Sequence, residues 1–162
     1  LTHETESIPA AYYIIMESLI AVCFQTVSSV LGYLKRVGNG DRKVMVIDSR
    51  TPEWIIRGTI PGSVNIPWNE INLDVEGTFE LAAEAETLHN ILTEQLGVQD
   101  VNGSLDFRNA KTLVLFCNGS WCPQSSTNIK TLLKLGYPAY KLKWYRGGMQ
   151  DWVSLGLTTI NK

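Results

Sequence analysis

Two short apolar runs constrain this chain most. Lys43 to Asp48, KVMVID, and Thr112 to Phe116, TLVLF, show no polar–apolar alternation. A strand with one wet face alternates with period two. A continuous run suits a strand covered on both faces, as in the middle of a parallel sheet. Parallel neighbours cannot be joined by a tight turn, so each needs a crossover, usually a helix. Helical patterns stand where those crossovers are required. Ser29 to Val37 places Val30, Leu31 and Leu34 on one face, with Gly38 as a stop. Thr78 to Leu96 sets Leu81, Ala85, Leu88, Leu92 and Leu96 in one stripe, with Gly97 behind it. Ile129, Leu132, Leu133 and Leu135 mark a helix ending at Gly136, with Pro138 just beyond. Ser63 to Ile66 reads as a short strand after the Pro61-Gly62 turn. Tyr140 to Trp144 reads as a strand with one wet face, and Arg146 to Gly156 as a short helix with Met149, Trp152 and Leu155 inward. Asp100 to Asn109 is polar and turn-rich, a surface excursion. The expected architecture is α/β, a central parallel sheet flanked by helices in three layers, over residues 26–162.

Residues 1–25 form an apolar extension of uncertain role. Ile8 to Phe24 is shorter than the ~20 residues that cross a bilayer, and Glu17 sits in its middle. His3, Glu4 and Glu6 precede it, where a signal peptide wants basic residues. A buried helix, a strand or a contact in a dimer is the expectation, rather than a membrane anchor. The formal net charge is −2 with no basic stripe, which removes the electrostatic case for nucleic acid. Three cysteines are too few for a disulfide scaffold, and they leave a cytoplasmic and a periplasmic setting both open. His3 and His89 have no ligand spacing to any cysteine, so no metal site is expected.

The chemistry concentrates where the second apolar run ends. Cys117 follows Phe116 directly; Asn118, Gly119, Ser120, Trp121, Cys122 and Pro123 follow, and Gln124 and Ser125 begin a helical pattern. At such a strand–loop–helix junction unpaired backbone amides and the helix dipole favour an anion. That field is expected to favour the Cys117 thiolate, a strong nucleophile. A cysteine at a strand end is also an ordinary small buried hydrophobe, and pattern alone leaves both readings standing.

The order of motifs resembles rhodanese-homology domains. VIDSRTPEW, GTIPGSVNIP, LVLFCNGSW and LGYPAYKLKWYRGGMQDW occur in the family's sequence order. The family's Asp-x-Arg after the first long strand is met by Asp48 and Arg50, and its acidic–aromatic pair by Glu53 and Trp54. Thr59 stands where the family's Gly-His-Ile-Pro turn carries histidine, and Met149 follows Gly147-Gly148 where an aromatic is usual. The resemblance implies the rhodanese-like fold and a sulfurtransferase without cofactor. Cys117 would take sulfane sulfur from a small anion such as thiosulfate or from a protein persulfide, and pass it to a thiol or cyanide. Loop amides from Asn118 onward would hold the charged sulfur. Asp48 and Arg50 would brace the architecture rather than do chemistry.

Two departures matter. Relatives carry a cation near the loop's end before a serine. Here either Gln124-Ser125 takes that place in a longer loop, or Cys122 takes it in a short loop with Pro123 opening the helix. Either way the loop has no lysine or arginine, and Arg146 is the candidate for outside support. Less positive field fits a persulfide donor better than dianionic thiosulfate. Cys122 is the second departure, either a resolving thiol for Cys117 or a residue packed beside Trp121, which itself either walls a pocket or packs. Competing functions are phosphatase-like or arsenate-reductase-like chemistry at the same cysteine, and a non-catalytic binding module.

Overall fold

The computed structural model describes residues 22–72 and 81–161, with no account of the side chains of residues 81–84. Strands and helices alternate as β1 (Cys23–Phe24), α1 (Val27–Gly38), β2 (Val44–Asp48), α2 (Pro52–Ile55), β3 (Val64–Asn65), α3 (Leu81–Asn90), β4 (Gln99–Val101), β5 (Ser104–Asp106), β6 (Thr112–Phe116), α4 (Gln124–Lys134), β7 (Leu142–Tyr145) and α5 (Gly148–Ser154). Five strands form one sheet in the order β1-β7-β6-β2-β3, every pair parallel. The expected α/β architecture with a central parallel sheet is the one formed.

Both faces of the central strands are covered, which explains the absence of alternation. Leu113 and Leu115 of β6 point into a core shared with Leu88, Leu92, Ile129 and Leu132, from the side of α3 and α4. Val114 and Phe116, one residue out of phase, pack with Val30, Met149 and Trp152, from α1 and α5. Three layers result, helices on either side of one sheet. The register aligns Asp48 with Phe116, Asn65 with Asp48, and Phe116 with Tyr145. The residues that follow those strands therefore emerge along one edge, the carboxyl edge, where open α/β sheets bind ligands.

Several local expectations change. Leu31 is 44% exposed, because α1 packs through Val27, Val30, Leu34 and Val37 instead. The helix starts at a real cap, with the Thr26 hydroxyl accepting from Ser29 N at 3.3 Å. The α3 stripe holds at Leu88, Leu92 and Leu96, all buried, but Ala85 is exposed and Ile91 joins the buried side. Leu96 N donates to Ile91 O, five residues back, in a π-helical turn over Ile91–Gln95. One extra residue in that turn rotates the apolar face. Residues 78–80 of that predicted helix lie outside the described residues. Leu155 is exposed because α5 ends at Ser154, and Tyr140 is exposed in a single 3-10 turn ahead of β7. Asp100 to Asn109 includes most of the antiparallel β4–β5 hairpin, turned at Asn102 and Gly103, both with positive φ. Asn-Gly supplies that turn because both positions need left-handed backbone.

Cys23 and Phe24, placed by sequence in the N-terminal extension, pair with Lys143 and Trp144 as the sheet's edge strand β1. The rest of the apolar segment, up to residue 21, lies outside the described residues, and so does the dimer contact expected of it. No helix among the described residues is long and apolar enough to cross a membrane.

Candidate active site

The site is built at the carboxyl edge from the ends of β2 and β6. Asp48, the last residue of β2, is 0% exposed, and Arg50 is 3% exposed. Arg50 Nε donates to Asp48 Oδ1 at 2.9 Å and Nη2 to Oδ2 at 2.6 Å, a two-pronged ion pair. The Thr59 hydroxyl donates to the same Oδ2 at 2.6 Å. The remaining guanidinium donors go outward, Nη2 to Gly58 O at 2.8 Å and Nη1 to Asn118 Oδ1 at 3.3 Å. This buried pair thus reaches from the β2 end into the loop after Cys117.

The loop is held from the other side by the start of α5. Met149 N donates to Cys117 O at 3.0 Å and Gln150 N to Asn118 O at 2.8 Å. Gly148 makes that approach possible, with φ +56 and no Cβ; a Cβ built there would overlap Cys117 O and lie 3.0 Å from Gly119 N. Gly119 is similarly confined, since its Cβ would lie 2.7 Å from Gln150 Oε1.

Cys117 itself is 2% exposed. Its thiol donates to Cys122 O at 3.2 Å and accepts from the Ser125 hydroxyl at 3.3 Å. Trp144 Nε1 donates in turn to Ser125 Oγ at 3.1 Å. Burial first, and the Cys122 side chain second through hydrogen bonding and charge, push the Cys117 thiol up to about 11. The hydroxyl and amide of Ser125 pull the other way without overcoming desolvation. The expected stabilised thiolate is therefore not what this arrangement holds. The same strand end that points Cys117 at the amides also buries it.

Ser125 under Cys117 decides between the two loop alignments. Gln124 is the first residue of α4 with Pro123 capping it, so the loop is the longer one, Asn118 to Pro123. Cys122 sits within it, closed back by Cys122 N donating to Gly119 O at 3.0 Å. Its thiol approaches Gln124 Oε1 at 3.5 Å.

Two adjoining clefts open beside the loop. One, of about 330 Å³, is lined by Trp54, Trp68, Trp121, Cys122 and Gln124 among others. The second, of about 480 Å³, brings Arg50, Arg57, Met149 and Gln150 together; Trp54, Asn118 and Trp121 line both. Trp121 is 68% exposed and its indole N–H reaches Gln150 Oε1 at 3.3 Å, so it walls the clefts rather than packing inside. Of the candidate residues, Ser120 faces solvent. Arg146 is exposed and lies 5.7 Å over the ring of Trp144, whose indole N–H in turn reaches Ser125 Oγ. Sequence reasoning gave no site role to Trp54, Trp68, Arg57, Thr59 or Gly148. Their shared signal is position: each lies in a segment that follows a sheet strand at the carboxyl edge. No cluster of three metal-ligating side chains occurs among the described residues.

A family model described as "Rhodanese-like domain" matches residues 32–155. No curated protein sequence matches the chain. Among solved structures, a Rhodopseudomonas palustris protein described as a possible tyrosine phosphatase superposes with a TM-score of 0.56 at 19% identity, covering 98% of this chain and 100% of that one. A Bacillus halodurans protein gives 0.55 at 18% identity, covering 93% and 84%. A polysulfide-sulfur transferase homodimer from Wolinella succinogenes gives 0.52 at 15% identity, covering 94% and 88%. At these identities the likeness is one of fold.

Proposed function

The chain belongs to the rhodanese-like domain family, and from that premise we propose that it is a sulfurtransferase working through a Cys117 persulfide. The observation that carries the reading is the Cys117 environment: a cysteine at the β6 end, with the Ser125 hydroxyl and amide both directed at its sulfur. Deprotonated Cys117 attacks the sulfane sulfur of a donor. The donor's S–S bond breaks, and sulfite or a thiol leaves. The terminal sulfur then sits with its negative charge toward the Ser125 donors and the loop. An acceptor thiol or cyanide attacks it, and Cys117 departs as the leaving group.

The donor class follows from charge. The loop has no lysine or arginine, Arg50 is neutralised by Asp48, and the other cation lining the clefts is the single Arg57, 5.0 Å over the Trp54 ring. A singly charged persulfide on a carrier thiol therefore suits the site better than dianionic thiosulfate, and the cleft of tryptophans suits a donor with an apolar body. The W. succinogenes neighbour is described as a polysulfide-sulfur transferase, which keeps sulfane donors other than thiosulfate in view.

Incubation with inorganic polysulfide or thiosulfate, followed by intact mass and peptide mapping, tests this. The expected result is a gain of about one sulfur atom (~32 Da) at Cys117, absent from Cys117→Ser. Equal uptake by the variant would overturn the reading. The raised thiol also predicts a pH profile. Because only the thiolate reacts, the loading rate should climb about tenfold per pH unit from neutrality and level off near the Cys117 value of about 11. A rate flat above neutral pH would show that Cys117 is already ionised there, against a raised thiol.

The long loop, Asn118 to Pro123, supports a second reading, cysteine-dependent phosphatase chemistry, since a tetrahedral oxyanion needs more room than one sulfur. The R. palustris neighbour's description points the same way. Against it stands the missing loop arginine, because phosphoryl transfer needs charge neutralisation. Hydrolysis of an aryl phosphate without sulfur uptake would favour this reading.

A further inference from the structure

The two loop cysteines occupy one site but face differently. Cys122, not Cys117, lines the 330 Å³ cleft beneath Trp54, Trp68 and Trp121. Cys117 lies behind it, its thiol hydrogen-bonded to the Cys122 carbonyl at 3.2 Å. The turn closed by Cys122 N and Gly119 O folds the loop so that the Cys122 carbonyl lies within hydrogen-bond reach of the Cys117 sulfur. Both thiols are free and buried, and the Cys122 sulfur approaches Gln124 Oε1 at 3.5 Å.

We propose that Cys122 is the resolving thiol of this site: it attacks the inner sulfur of a Cys117 persulfide, expels hydrosulfide and leaves a Cys117–Cys122 disulfide. The inference rests on the sulfurtransferase reading. The step balances within the site. A new S–S bond forms between Cys122 and Cys117, and the Cys117–sulfane bond breaks. The Cys122 sulfur is oxidised from thiol to disulfide, the outer sulfur is reduced from sulfane to sulfide, and the Cys122 proton leaves with it as hydrogen sulfide. A dithiol reductant from solution, entering by the tryptophan-lined cleft, reopens the disulfide and restores both thiols.

Leaving-group chemistry favours this route over handing the outer sulfur to Cys122. Transfer of the outer sulfur must expel Cys117, a buried thiolate in a site that disfavours its charge. Attack on the inner sulfur expels hydrosulfide, a much weaker base, and weaker bases leave faster. Where no external acceptor takes the outer sulfur, the product of the site is then hydrosulfide, released at the expense of a dithiol.

The test loads wild type, Cys122→Ser and Cys122→Ala with inorganic polysulfide, removes the excess, and follows each protein without added thiol. Wild type should lose the ~32 Da adduct and release about one equivalent of hydrosulfide. It should end about 2 Da lighter than the reduced protein, with a linked Cys117–Cys122 peptide. Both variants should keep the adduct on Cys117 at least about tenfold longer. An equally long-lived adduct in wild type, or hydrosulfide release with Cys122 still reduced, overturns the inference alone. Failure of all three proteins to take up sulfur overturns it together with the sulfurtransferase reading.

Discussion

Replacing Arg50 by alanine should destabilise the fold by about 3–5 kcal/mol, the usual cost of leaving one member of a buried ion pair behind. Asp48 would remain 0% exposed with its charge answered only by the Thr59 hydroxyl and the Arg50 backbone amide. The guanidinium also satisfies Gly58 O and Asn118 Oδ1, so the damage should spread from β2 to the loop. Arg50→Lys keeps the charge but loses the two-pronged geometry and at least one outward bond, and should fall between the alanine variant and wild type. Urea unfolding checks this through a lower midpoint at unchanged slope. A loss below about 1 kcal/mol would mean that Asp48 accepts a proton or is reached by water once its partner is gone. Sulfur loading on Arg50→Ala should slow as well, because Asn118 loses the bond that ties it to the β2 end.

Gly148→Ala should be nearly as costly and should act directly on the site. A non-glycine residue at φ +56 costs roughly 1–2 kcal/mol by itself. The added Cβ would also overlap the carbonyl oxygen of Cys117, a backbone atom that cannot step aside without moving the loop. The two terms together place the expected loss above about 3 kcal/mol, at the upper end of single substitutions. The bonds from Met149 N to Cys117 O and from Gln150 N to Asn118 O would stretch or break. Cys117 loading should then fall even at temperatures where the variant is folded. Wild-type loading by folded Gly148→Ala would contradict the idea that α5 holds the loop in its working shape. Gly32 provides the control, because nothing lies within 4 Å of a Cβ there and alanine favours a helix interior.

Much of this arrangement was legible from residue patterns. KVMVID and TLVLF read as strands with both faces covered, and β2 and β6 are adjacent parallel strands inside the sheet. Cys117 had to sit at the carboxyl edge, since it follows one of those strands directly. The alternation of strand and helix, together with the Asp-x-Arg and Gly-Gly motifs, was enough to recognise the family. The misjudged positions are informative. Leu31 and Leu155 lie at helical spacing yet face water, because periodicity states that a helix has an apolar face but not where the neighbouring element stops covering it. The stripe before β4 kept Leu88, Leu92 and Leu96 but missed Ile91, buried at a π-helical turn, a one-residue shift without a signature in a pattern of 3.6.

The sequence by itself determined the topology and the place of Cys117, because both depend on local rules: side-chain period, turn chemistry, and the need of parallel strands for crossovers. The tertiary structure alone decided the surroundings of that cysteine. Whether Cys117 is thiol or thiolate depends on how much water the packed loop removes and on which dipoles converge. Those contributions come from β6, α4, α5 and the Cys122 turn at once. The same holds for the relative placement of Cys117 and Cys122. They are close in sequence, and only the folding of Asn118 to Pro123 against Trp54, Trp68 and Gly148 sets one behind the other. Solvation and electrostatics sum over everything nearby in space, and a linear pattern carries no such sum.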